Sequence, residues 1–93
     1  MRRTVVPPEI TRMIRDCRLT RNAAIRVLTG LHESLPQHHD SSPRHPEDDR
    51  LCLFLDAIAD GGQMHTFVFS VDDTTSPDHL IVVDLEHHAR PIP

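Results

Sequence analysis

Tryptophan, tyrosine and lysine are absent from the 93-residue chain, and Phe54, Phe67 and Phe69 are its only aromatic rings of the Phe, Tyr or Trp type. A core drawn from this set must be mainly aliphatic. Few platforms remain for stacking nucleic-acid bases. The two cysteines form neither a CxxC pair nor a disulfide framework. Cys17 falls on the apolar face of an expected helix and Cys52 within an expected strand, so both read as reduced, buried thiols of a cytoplasmic protein. No apolar run approaches the roughly 20 residues needed to span a bilayer. No apolar segment follows Arg2 and Arg3, so neither a secretory leader nor a membrane partner is expected. The length fits one domain over residues 1–93 with a modest core.

Every one of the ten Lys-plus-Arg positions is Arg, and the net charge is -4. The charge is unevenly spread. Residues 1–35 hold seven Arg and three acids, and residues 36–93 hold three Arg and eleven acids. The first part can present a basic face, while the second is acidic.

Periodicity divides the chain in the same place. Thr4, Val5 and Val6 suit a short strand that Pro7 and Pro8 stop. A helix is expected from Pro8, with Ile10, Met13, Ile14 and Cys17 on one face. Thr20 is a candidate N-cap for a second helix whose apolar stripe is Ala24, Ile25, Leu28, Leu31, His32 and Leu35. Pro36 is expected to end it. The short join between the two predicts a helical hairpin. Residues 36–49 (PQHHDSSPRHPEDD) read as a flexible Pro- and His-rich loop, where His38, His39, Asp40 and His45 lack the spacing of a metal site.

Residues 51–88 organise the rest. Arg50 to Ile58 is nearly continuous in apolar residues, as in a central or doubly covered strand. Asp60-Gly61-Gly62 marks a tight hairpin. In the next strand His65, Phe67, Phe69 and Val71 should face the helices. Asp72 to Asp78 is a polar turn held by Asp72 and Asp73. The last strand, from His79 to Glu86, places Ile81, Val83, Leu85 and then His87 on one face, and Leu80, Val82, Asp84 and then His88 on the other. Arg90-Pro-Ile-Pro reads as an irregular tail. The fold class is therefore α+β, with the helical hairpin packed on an antiparallel sheet of three to four strands.

Antiparallel pairing brings the start of the second strand beside the end of the third, so His65 and His87 should meet at one end of the sheet. Two imidazoles there suit proton transfer near neutral pH. With Glu86 they could also ligate a transition metal. No metal and no cofactor are expected.

The segments Arg50-Leu-Cys-Leu-Phe, His65-Thr-Phe-Val-Phe-Ser-Val-Asp-Asp and Leu80-Ile-Val-Val-Asp-Leu-Glu-His-His, in this element order, resemble the RelE/ParE superfamily of bacterial toxin-antitoxin proteins. The layout resembles that family over nearly the whole chain, and residue identities do so over about residues 50–88. The resemblance implies the toxin of a type II toxin-antitoxin system. A RelE-like member is an endoribonuclease that cuts mRNA on the ribosome, the 2′-hydroxyl attacking the adjacent phosphate. His87 or His88 then matches the family's general acid. Glu86, Asp56 or His65 is the candidate base, and Arg50 and Arg90 are candidates to hold phosphate. The alternative is a non-catalytic ParE-like inhibitor of DNA gyrase, or a degenerate relative that only binds an antitoxin. Either branch implies a cognate antitoxin as partner.

Overall fold

A computed structural model describes residues 1–93 and shows an α+β fold with helices on one face of a five-stranded mixed sheet. The helices are α1 (Pro8–Asp16), α2 (Arg21–Thr29) and the short α3 (Leu35–His38). The strands are β1 (Arg3–Val5), β2 (Arg44–His45), β3 (Asp48–Asp60), β4 (Gln63–Asp72) and β5 (His79–Pro91), in the spatial order β1-β5-β4-β3-β2. The meander β3-β4-β5 is antiparallel, as its turns require.

Two strands extend the meander: β1, which the sequence anticipates as a short strand, and β2, which it does not. β1 joins β5 in parallel, with Arg3 opposite His79 and Val5 opposite Ile81. The sheet is therefore mixed, because β1 and β5 enter it in the same direction with the rest of the chain between them. Arg2 fixes this edge by donating to the carbonyls of Ser76 (2.5 Å) and His79 (2.9 Å). β2 pairs antiparallel with the start of β3. The stretch 36–49 thus contributes α3, a single 3₁₀ turn (His39–Ser41) and β2, where the sequence suggested only a loop.

Ile10 and Ile14 of α1 are buried as expected, but Met13 is 36% exposed and Cys17 is only half-buried. Thr20 caps α2, its hydroxyl accepting from the Ala23 N–H at 3.3 Å. The buried row of α2 and its continuation is Ala23, Val27, Leu31 and Leu35, one position away from the expected stripe. Ile25 (49% exposed) and His32 face solvent. Ala24 and Leu28 instead line a gap with Ile14 and Leu19 of the α1 side. The helix satisfies two neighbours at once, and periodicity alone weights both contacts equally.

Pro36 does not end the helix. Gly30–Ser34 forms a π turn in which the Leu35 N–H donates to the Gly30 carbonyl, five residues back. The Leu31 carbonyl next in line would need the N–H of residue 36, which proline lacks. Thr4 of β1 supplies the missing donor: its buried hydroxyl donates to the Leu31 carbonyl at 2.5 Å. One side-chain bond therefore lets the helix run through a proline and ties it to the edge strand.

In β4, His65, Phe67, Phe69 and Val71 are all buried on the helix side. β3 is covered on that side only. Cys52, Phe54 and Ile58 are buried while Leu55 is 58% exposed, so its apolar run does not reflect double cover. Gly61 (φ 59°) and Gly62 (φ 77°) make the β3-β4 hairpin turn that the sequence predicts. The β4-β5 ladder slips between Ser70 and Val71, which pair with Asp84 and Val82. Val83 is the extra residue of a bulge, and it is 47% exposed. Alternation changes phase there. The core takes Leu80 and Val82 before the bulge and Leu85 after it, so the expected Ile81–Val83–Leu85 face does not form. β5 also runs past Glu86 to Pro91, taking in Arg90 and Pro91 of the expected tail.

Candidate functional site

The β3-β4 turn sets the end of the sheet at which two histidines meet. His65 follows that turn in β4 and lies opposite Ile58 of β3 and Ala89 of β5. Phe67 lies opposite His87. His65 and His87 therefore occupy neighbouring rows, both on the helix side. His65 Nδ1 and His87 Nε2 are 2.9 Å apart, and their ring centroids are 5.2 Å apart. Phe67 forms the floor, its ring 5.0 Å from that of His87.

The main chain decides the tautomer. His65 Nε2 lies 3.2 Å from the Asp60 carbonyl oxygen, which can only accept. His65 Nε2 therefore carries the proton, Nδ1 accepts, and His87 Nε2–H donates to it. His65 is 5% exposed and has both ring nitrogens engaged. His87 is partly exposed, and its Nδ1 remains as the one nitrogen of the pair free for a solvent-borne group. Burial, then the neighbouring imidazoles of His65 and His88, push the His87 pKa below the ordinary histidine value. The neutral form prevails at pH 7. A proton added at His87 Nδ1 leaves its Nε2–H still donating to His65.

Asp60 has a second task. Its carboxylate accepts from the Thr20 N–H (2.9 Å) and hydroxyl (2.7 Å), tying the α1-α2 connection to the hairpin. These bonds hold its pKa below the usual carboxylate range. Asp60 and Phe67, which position the pair, carry no mark of this in the sequence beyond the turn and the strand alternation.

The other expected site residues lie elsewhere. His88 and Glu86 point to the bare face of the sheet, where the two are 3.5 Å apart and exposed. Arg90 lies toward the histidine end of the sheet but on the bare face, opposite Met64 in the ladder. Arg50 is at the other end of β3 and forms an ion pair with Asp48 at 2.9 Å. Asp56 lies on the helix side and shares its row with Phe67 and His87, but Phe67 stands between them. Asp56 instead borders a cavity of about 260 Å³ with Gly30, Thr29 and Ser34. Burial raises its pKa.

No three His, Cys, Asp or Glu side chains converge as a metal cage would require. In the 36–49 stretch, His39 contacts the Pro36 carbonyl (3.3 Å) and Asp40 (2.9 Å), and His45 accepts from the Glu47 N–H (3.0 Å). No helix is long and apolar enough to cross a membrane. No protein-family model matches this sequence, and no curated protein or solved structure matches it either.

Proposed function

We propose that this chain is a RelE/ParE-type toxin domain that cleaves RNA, with His87 as the proton-transfer group and His65 as the residue that positions it. The observation that carries this reading is the 2.9 Å bond between the two imidazoles, oriented by the Asp60 carbonyl so that one nitrogen, His87 Nδ1, faces outward. The order of elements supports it as well: a short strand, helices on one face, then a three-strand meander whose last strand lies beside the first.

In this reading neutral His87 takes the proton of the attacking 2′-hydroxyl at Nδ1. The 2′-oxygen bonds to phosphorus and the bond to the 5′-oxygen breaks. His87 then returns the proton to the departing 5′-oxygen, leaving a 2′,3′-cyclic phosphate and a 5′-hydroxyl. His65 accepts from Nε2–H throughout and steadies the transient cation. Arg90 is the nearer of the two candidate phosphate-binding arginines along the strands, although it projects from the opposite face and would have to reach around the sheet edge. The partners of this reading are mRNA on the ribosome and a cognate antitoxin.

A second reading is a domain that acts by binding alone, as a gyrase inhibitor or an antitoxin partner. It is favoured by the separation of Arg50, Glu86 and His88 from the histidine pair. Induced expression in bacteria without any antitoxin separates the two. Growth arrest with rapid mRNA loss, abolished by His87→Ala, is expected for the nuclease. Arrest with intact mRNA and altered DNA supercoiling selects the binding reading.

A further inference from the structure

β5 is flanked on one side by β4 along nearly its whole length. On the other side it meets β1 only from His79 to Ile81. From Val82 to Pro91 this edge has no strand neighbour, and Val83, Asp84, Glu86, His88, Ala89 and Arg90 are exposed along it. An open edge of this length is a template for another strand. Short edge strands, prolines and lysines are the usual protection. Here the strand is long, proline comes only at its end, lysine is absent, the bulge at Val83 leaves the run from Asp84 to Arg90 regular, and the charges on that run are of both signs.

The order of charges along the edge indicates which strand fits. Past the bulge, the bare-face residues read Asp84, Glu86, His88, Arg90: two acids, then two basic groups. This order is complementary to its own reverse. An antiparallel second copy with His87 opposite His87 sets Asp84 against Arg90 and Glu86 against His88, each pair occurring twice by symmetry. On the helix side the same register sets Leu85 against Ala89. Sliding by one pair in either direction puts Glu86 against Glu86, or His88 against His88, and keeps only one kind of opposite-charge pair, Asp84 with His88 or Glu86 with Arg90, in place of two. Cross-strand pairs of opposite charge stabilise a ladder and like charges oppose it. Asp84 Oδ1 holds the Leu85 N–H at 2.8 Å in the single chain, a local bond that a strand neighbour can replace.

We propose that two copies of this chain pair through the free edge of β5, antiparallel and centred on His87, to form one continuous sheet across a twofold axis. The arrangement is isologous and closes at two copies. It sets the two histidine pairs side by side on the helix side of the joined sheet. This inference does not depend on RNA cleavage.

Light scattering on size-separated protein, from micromolar to millimolar, tests it. The wild type is expected to approach twice the 10.6 kDa chain mass. Asp84→Arg and Arg90→Asp each place like charges opposite one another twice. Each should weaken dimerisation by about tenfold or more. An equal mixture of the two variants restores every pair and should dimerise as the wild type does. Both variants are compared only when their circular dichroism matches the wild type, as expected at two exposed sites. A wild type that stays at the single-chain mass at millimolar concentration overturns the proposal. So does a mixture that behaves like its separate components.

Discussion

Replacing His87 by alanine removes one partner of a buried hydrogen bond and leaves the other in place. His65, at 5% exposure, keeps its donation to Asp60 but presents Nδ1 to an empty space. The lost bond is worth about 1 kcal/mol net. Loss of the ring packed on Phe67 adds about 0.5–1 kcal/mol. Because solvent already reaches His87, water can enter and meet Nδ1, so the full penalty of an orphaned buried acceptor is avoided. The expected destabilisation is about 1.5–2 kcal/mol, or roughly 6–16 °C in Tm for a domain of this size. His87→Phe should recover the packing and not the bond. His87→Gln, whose amide can donate, should recover part of the bond. Urea and thermal unfolding of the four proteins give the ranking. Nitrogen-15 spectra of the wild type should show the His65 proton on Nε2. A loss below about 0.3 kcal/mol for His87→Ala, or a His65 proton on Nδ1, refutes the reasoning.

Other consequences can be checked separately. Thr4→Val keeps the shape of the side chain but strands the Leu31 carbonyl beside Pro36, and should cost about 1–3 kcal/mol in urea unfolding, whereas Thr4→Ser should cost less. Stability should fall with pH in two windows, measured by urea unfolding across pH. His87 binds its proton less readily when folded, so its contribution is complete above the ordinary histidine pKa of about 6.5 and declines as pH falls through that value. His87→Phe should remove this slope. Asp72 is held down to about 2 by hydrogen bonds, first from the Thr75 hydroxyl. Its contribution is present above the ordinary value of about 3.9 and is lost as pH falls toward 2, and Asp72→Asn should abolish that window. Cys52 is fully buried and its thiol is pushed up to about 11, chiefly by burial. It should resist alkylation at pH 8 until the protein unfolds; labelling of Cys52 as fast as that of Cys17 in folded protein would contradict its placement.

The sequence disclosed most where one interaction decides the outcome. The two glycines after Asp60 need positive φ, the alternation from His65 to Val71 admits one buried face, and together they imply that His65 and His87 meet. It disclosed less where a distant partner intervenes. Pro36 reads as a helix stop because the donor that replaces its missing N–H belongs to Thr4, at the other end of the hydrogen bond and of the sequence stretch. Alternation alone does not give the facing of Val83, because a bulge leaves no residue signature there. The α2 stripe was displaced because Ala24 and Leu28 serve α1 while Ala23 and Val27 serve the sheet. For the site, strand parity predicts the histidine pair, and it also sets Glu86 and His88 apart from that pair despite their nearness in sequence. In a strand, adjacent residues face opposite sides. Arg50 was grouped by residue type, and its position at the far end of β3 follows only from the register.

The chemistry of the cut ends tests the central claim most directly. Purified protein would be added to ribosomes translating a defined mRNA, and the fragments examined at both termini. Cleavage by His87 predicts fragments with 2′,3′-cyclic phosphate and 5′-hydroxyl ends from the wild type, and none from His87→Phe assayed well below its unfolding midpoint. Intact mRNA with the wild type, or equal cutting by His87→Phe, would contradict it.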